Sequence, residues 1–153
     1  MKVVLVNPDI PQNTGNIART CIANNIKLVL VGRLGFSLED KYLRRAGLDY
    51  WKYVEIELYP SFDEFLKTVI DEKDLLFFST HGKKIFWEAP YSANSCLIFG
   101  SETSGFPKDF YSKYEDKMYR IPMPSQKVRS LNLATACGIV VYEALRQIYN
   151  NRK

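Results

Sequence analysis

The sequence predicts an α/β fold, a mostly parallel sheet with helices on both faces. Three observations carry that prediction. Short apolar runs alternate with segments of helical periodicity along the chain, the β-α-β-α order that builds parallel sheets. No composition shift, linker, repeat or low-complexity tract divides the chain. Its 153 residues suit one domain spanning residues 1–153. A chain of that size buries roughly 68–70% of its unfolded surface, enough for one core.

The elements follow in order. Val3 to Val6 is four apolar residues stopped by Asn7-Pro8, a buried strand. Gly15 to Asn25 reads as a helix with Ile17, Cys21 and Ile22 on one side. Leu28 to Val31 is a second buried strand, closed by Gly32. Ser37-Leu38-Glu39-Asp40 opens a short helix ending near Gly47, with an acidic first turn and basic Lys41, Arg44 and Arg45 after it. Val54 to Leu58 alternates, as a strand near a sheet edge does. Ser61-Phe62-Asp63-Glu64 reads as a capping box starting a helix that runs to about Asp71. Leu75 to Ser79 and Cys96 to Phe99 are buried strands, the latter followed at once by Gly100. Pro107 suits the first position of a helix reaching about Tyr114. Met118 to Ile121 is a short strand before Pro122. The last helix spans about Leu131 to Tyr149, with Leu133, Cys137, Val140, Val141, Ala144 and Ile148 in its apolar stripe.

Composition excludes several classes. Hydrophobic residues make up 46% and charged residues 25%, ordinary globular values that argue against disorder and fibrous repeats. No apolar run approaches the ~20 residues of a membrane span. The run after Met1 is too short for a secretory signal, so the expected compartment is the cytoplasm. Cys21, Cys96 and Cys137 are widely spaced and form no CxxC pair, so neither a disulfide framework nor a zinc site is expected. His81 is the only histidine, which argues against a His-rich metal site, and no metal is expected. Twenty-one basic against seventeen acidic residues give a net charge of +4. That is a mild lean towards a polyanionic partner, which an ordinary basic surface also matches.

In parallel sheets, ligands bind at the carboxyl ends of strands, and three loops there carry suggestive residues. The first is Asn7-Pro8-Asp9-Ile10-Pro11-Gln12-Asn13-Thr14-Gly15-Asn16, with Arg19 about one turn into the helix. Asn13, Thr14 or Asn16 is a candidate cap there. The free amides of that helix start suit an anion, while plain turn chemistry accounts for the same residues. The second runs Phe99-Gly100-Ser101-Glu102-Thr103-Ser104-Gly105, a strand entering a glycine, a carboxylate and a second glycine. Its spacing is neither the dinucleotide fingerprint nor a P-loop, and a simple strand-to-helix turn stays open. The third runs from Arg120-Ile121-Pro122-Met123 through Gln126-Lys127-Val128-Arg129 to Ser130-Leu131-Asn132, where Ser130 or a neighbour caps the last helix.

Together, in order and wording, these loops resemble the three motifs of the SPOUT class of S-adenosylmethionine-dependent RNA methyltransferases. The likeness is to the 2′-O-methylating branch, and within it to the small TrmL or YibK-like family, which methylates the tRNA wobble ribose. Asn13 to Arg19, Phe99 to Gly105, and Ile121 to Met123 with Ser130 to Leu133 carry the motifs. Leu43-Arg44-Arg45-Ala46-Gly47-Leu48-Asp49-Tyr50 also resembles that family, so the likeness spans almost the whole chain. As in the small branch, no added RNA-binding domain is expected.

The resemblance implies a C-terminal trefoil knot, which periodicity alone does not suggest and general experience disfavours. It implies S-adenosylmethionine held by Phe78, Ser79, Thr80, Gly82, Gly100, Glu102, Ile121, Met123, Ser130 and Leu131. It implies a catalytic set of Arg19, Asn13, Glu102, Ser130 and Asn132, and a homodimer in which Arg19 of one subunit completes the site of the other. A guanidinium is a poor base, so Arg19 is expected to stabilise negative charge on the 2′-oxygen. Glu102 is a candidate proton acceptor or a helix cap. Lys41, Arg44, Arg45, Lys83, Lys84, Lys127 and Arg129, with Arg19, are expected to hold the anticodon stem-loop. His81 is expected to be structural. Three rival readings remain: a ribosomal RNA 2′-O-methyltransferase, a non-enzymatic RNA-binding module of the same fold, and a flavodoxin-like nucleotide binder, which lacks a phosphate loop here.

Overall fold

A computed structural model describes residues 1–125 and 127–150, with side chains at 47–49 left outside that description. Gln126 of the third loop and the side chains at 47–49 of the family-like segment therefore lie outside the described residues. The elements are β1 (Lys2–Val6), α1 (Pro11–Ala23), β2 (Lys27–Val31), α2 (Lys41–Gly47), a 3-10 turn (Leu48–Tyr53), β3 (Ile56–Tyr59), α3 (Phe62–Leu66), β4 (Leu75–Phe78), β5 (Lys84–Ile85), β6 (Cys96–Phe99), α4 (Phe110–Lys113), β7 (Met118–Arg120) and α5 (Leu133–Asn150).

The strands form one seven-stranded sheet in the order β3-β2-β1-β6-β4-β7-β5. Every strand pair in it is parallel, so all carboxyl ends share one edge. Strand alternation splits the core in two. Val3, Leu5, Leu28, Leu30, Leu97 and Phe99 face the layer formed by α1 and α5. Val4, Val6, Val29, Val31, Phe77 and Ile98 face the other way, towards Phe65 of α3 and Phe110 of α4. Helices thus cover both faces, as the apolar runs predict.

Several boundaries differ from the sequence reading. Helix α1 starts at Pro11, four residues before Gly15, because a proline fits a first turn whose N–H has no partner anyway. Asn13 and Thr14 are consequently buried inside the helix rather than capping it, and Ile10 at the cap position offers no side-chain bond. Helix α2 starts at Lys41, since Asp40 Oδ1 accepts the N–H groups of Tyr42 (2.7 Å) and Leu43 (3.4 Å). The acidic residues stand before the helix, not in its first turn. Ser61 does cap α3, its Oγ accepting from Glu64 N (3.2 Å), but the helix stops at Leu66. Glu64 turns outward to pair with Lys67 (2.5 Å), so the reciprocal half of the expected box is replaced by a surface ion pair. Helix α4 begins at Phe110, after a turn that follows Pro107. Strand β5, only two residues long, carries no periodicity. No described helix is long and apolar enough to cross a membrane.

Candidate active site

Strands β6, β4 and β7 are neighbours, so the loops leaving their carboxyl ends meet. They border a cavity of about 610 Å³, whose wall is completed by Ile10 and Asn13 from the start of α1 and by residues 129–133 before α5. That volume suits a small organic molecule. All the expected cofactor residues line it except Gly82. A Cβ at Gly82 would stand 2.4 Å from the Tyr119 carbonyl carbon, so this glycine lets two backbones pack and does not face the cavity. Gly100 behaves similarly, since a Cβ there would fall 2.6 Å from the carbonyl carbon of Gly105. The 99–105 loop therefore folds back on itself, with Ser101 and Gly105 exchanging backbone hydrogen bonds of 3.0 and 2.9 Å. Gly105 turns the chain at φ +69°, a conformation that favours glycine.

Polar side chains tie the three motif loops together. The Glu102 carboxylate accepts from Asp9 N (2.8 Å), Ile10 N (3.2 Å) and Asn13 Nδ2 (3.3 Å). It sits over the α1 N-terminus, where free N–H groups and the helix dipole favour an anion. Asn13 Oδ1 accepts from Asn132 Nδ2 (2.9 Å). Asn132 Oδ1 in turn accepts from Ala134 N (2.9 Å) and Thr135 N (3.2 Å), capping α5. Asn132, not Ser130, is thus the helix cap. Asn13 joins residues 89 and 119 positions away, and one amide spans all three motifs. Sequence reading had no signal for these partners.

Apolar walls face this polar seam. Phe78, Ile121 and Leu131 line the cavity, with Phe78 stacked on Phe99 at 5.2 Å. His81 also lines it and meets the Tyr111 ring edge-on at 5.2 Å. Tyr111, which no sequence motif marks, accepts from Phe106 N at its hydroxyl (3.1 Å) and fixes the loop end. Among the described residues no group of three or more His, Cys, Asp or Glu stands where it could hold a metal ion.

The basic residues fall in separate places. Arg19 is exposed on α1, its guanidinium 5.4 Å from the centre of the Tyr50 ring, and it does not line the cavity of its own chain. Near it, α1 packs on α2, which carries Lys41, Arg44 and Arg45. Arg44 pairs with Glu39 at 2.8 Å, and Lys41 lies over the Tyr42 ring at 5.1 Å. Lys83 precedes edge strand β5 and pairs with Glu115, while Lys84 Nζ donates to Asp116 O (2.7 Å). Arg129 lines the cavity mouth, and Lys127 is exposed close by in sequence.

Comparison with known proteins agrees with this architecture. The model of the SpoU rRNA methylase family matches residues 1–142. A Saccharophagus degradans protein named tRNA (cytidine(34)-2′-O)-methyltransferase is 42% identical over 147 residues, covering 95% of this chain and 94% of its own. A structure solved for the 2′-OH methylation of C/U34 on tRNA superposes with a TM-score of 0.88 at 42% identity, covering 95% of this chain and 89% of the other. The AviRb methyltransferase of Streptomyces viridochromogenes, solved with AdoMet, gives a TM-score of 0.84 at 25% identity over 96% of this chain and 60% of its own. A parallel sheet with loops converging at its carboxyl edge, matched over nearly its full length, makes this chain a member of the SpoU methylase family.

Proposed function

We propose that this chain transfers a methyl group from S-adenosylmethionine to the ribose 2′-oxygen of nucleotide 34 in tRNA, a cytidine or uridine. The observation that carries the reading is the single cavity bordered by all three motif loops and stitched together through Asn13. The residues present fit the donor. Phe78, Ile121 and Leu131 offer apolar walls for an adenine, and the backbone around Gly100 and Ser79, Thr80 and Met123 offers polar contacts for the rest. Glu102, Ser130 and Leu131 complete the set that would hold it. When bound, the donor supplies a methyl group on a sulfonium whose departure leaves a neutral thioether, so no general acid is required.

The chain's own residues then have to orient the ribose and stabilise its oxygen. Glu102 accepts three N–H bonds from the first loop and the start of α1, and so holds the loops together. Ser130 and Asn132, at the cavity mouth, orient the sugar. The Arg19 guanidinium stabilises negative charge on the 2′-oxygen. It does so from a second copy of the chain, a reading supported by its standing outside the lining of its own chain's cavity. Ile139 and Tyr142 leave α5 with exposed apolar surface at 37% and 59%, which supports such a homodimer. Lys41, Arg44 and Arg45 near Arg19, and Lys127 and Arg129 at the mouth, bind the anticodon stem-loop, with Lys83 and Lys84 on the far edge. The chain is one domain over residues 1–153, works in the cytoplasm without a metal, and threads its C-terminal part through the family's trefoil knot.

Incubation with total tRNA and labelled methyl donor, followed by nucleoside mapping, tests the reading. Label in a 2′-O-methylated pyrimidine at position 34 is the expected result. Label confined to ribosomal RNA would move the substrate. Failure to bind the donor by calorimetry would leave only a non-enzymatic role.

A further inference from the structure

We propose that Asp9 is a positioning residue that clamps the 99–105 loop into the shape the cavity requires. Asp9 follows β1 and precedes α1 by two residues, and it does not itself line the cavity. Its Oδ2 accepts from the hydroxyls of Ser101 (2.6 Å) and Thr103. Its backbone N–H donates to the Glu102 carboxylate (2.8 Å), with Ile10 N alongside (3.2 Å). The two loops thus grip each other reciprocally, the carboxylate of each taking donors from the other.

The grip acts on residues that do border the cavity. Ser101, Glu102, Thr103 and Ser104 all line it. The Ser101 oxygen also accepts from Thr103 N (3.2 Å) and Ser104 N (3.3 Å), so it organises the turn while its own proton goes to Asp9. Ser101 is only 6% exposed, and removing its acceptor leaves its proton only the Thr103 hydroxyl, 3.2 Å away, as a partner in place of a carboxylate. Donation from Ser101 and Thr103 holds the Asp9 carboxyl below the usual carboxylate range, so the acceptor stays ionised at neutral pH. On its other side Gly35 N donates to Pro8 O (2.9 Å), so the segment leading to α2 rests on the same loop.

The inference rests on the donor-binding reading of the cavity, and its test separates the two. Asp9→Ala, Asp9→Asn and Thr103→Val are compared with the wild type by circular dichroism and thermal midpoint. Calorimetric affinity for S-adenosylmethionine and hydrogen exchange at the amides of residues 101–105 provide the readouts. Asp9→Ala is expected to weaken donor affinity and to speed exchange in that loop, each about tenfold, with secondary structure retained. Asp9→Asn keeps one oxygen acceptor and recovers most of both. Thr103→Val gives a smaller loss that does not add to that of Asp9→Ala. Wild-type exchange and affinity in Asp9→Ala would overturn the proposal. Should that variant not fold, unchanged loop exchange in Thr103→Val would do the same. A wild-type protein that binds no donor overturns the functional reading, while the exchange data still report on the clamp.

Discussion

The two faces of the sheet are built from different side chains. On one, rings interlock: Phe77 stacks on Tyr114 with centroids 4.2 Å apart, and Phe62 meets Phe110 at 4.7 Å. Its helices, α3 and α4, have only five and four residues, too few to be stable alone. The rings hold them in place. On the other face, α1 and α5 run 13 and 18 residues and bury mostly small groups, among them Ala18, Cys21, Cys137 and Ala144. Small side chains let these long helices lie close to the sheet. One face anchors the molecule and the other brings the motif loops to one place.

That contrast can be broken experimentally. The largest effect is expected from Phe77→Ala, about 3–5 kcal/mol of stability by denaturant titration. The fraction still folded should bind the methyl donor normally, and a loss below about 1 kcal/mol would deny the ring face its anchoring role. Next is Arg19→Ala on the other face, with turnover down about 10²–10³-fold at an unchanged thermal midpoint and intact donor binding. Near-normal turnover would remove Arg19 from the chemistry. Ser61→Ala, which uncaps α3, should cost about 1 kcal/mol and leave turnover untouched.

The smallest effect concerns pH. The Asp9 carboxyl lies below its unfolded value, because Ser101 and Thr103 donate to it. Its contribution is therefore complete above the unfolded value of about 3.9 and is lost as pH falls through the lower folded value. The difference in thermal midpoint between wild type and Asp9→Ala should hold steady from neutral pH down to about pH 5 and shrink under stronger acid. A difference that already vanishes at pH 5 would contradict the assigned bonds.

Apolar runs made β1, β2, β4 and β6 legible, since their residues are buried on both sides and leave no competing reading. The start of α1 was not, because Pro11, Asn13 and Thr14 are turn formers by type, whereas here Pro11 fits the first turn and Asn13 and Thr14 are helical through burial against the core. The end of α3 was not either. Thr68 bonds back to Phe65 O at 2.7 Å and closes the chain locally, a bond no periodicity reveals. At the cavity, the resemblance pointed to Gly100, Glu102 and Ile121, which line it, and to Gly82, which does not. The pairing of Asn13 with Asn132 and the grip of Asp9 on Ser101 depend on which strand ends adjoin, which a linear pattern does not encode.

Strand order also bears on biosynthesis. β1 pairs on one side with β2 and on the other with β6, whose residues 96–99 leave the ribosome long after residue 31. Until then the nascent polypeptide carries an apolar strand with one open edge, the kind of surface on which chains aggregate. Completion waits for a contact spanning about three-fifths of the sequence, which slows folding. Shielding by a chaperone during translation would matter most in that interval.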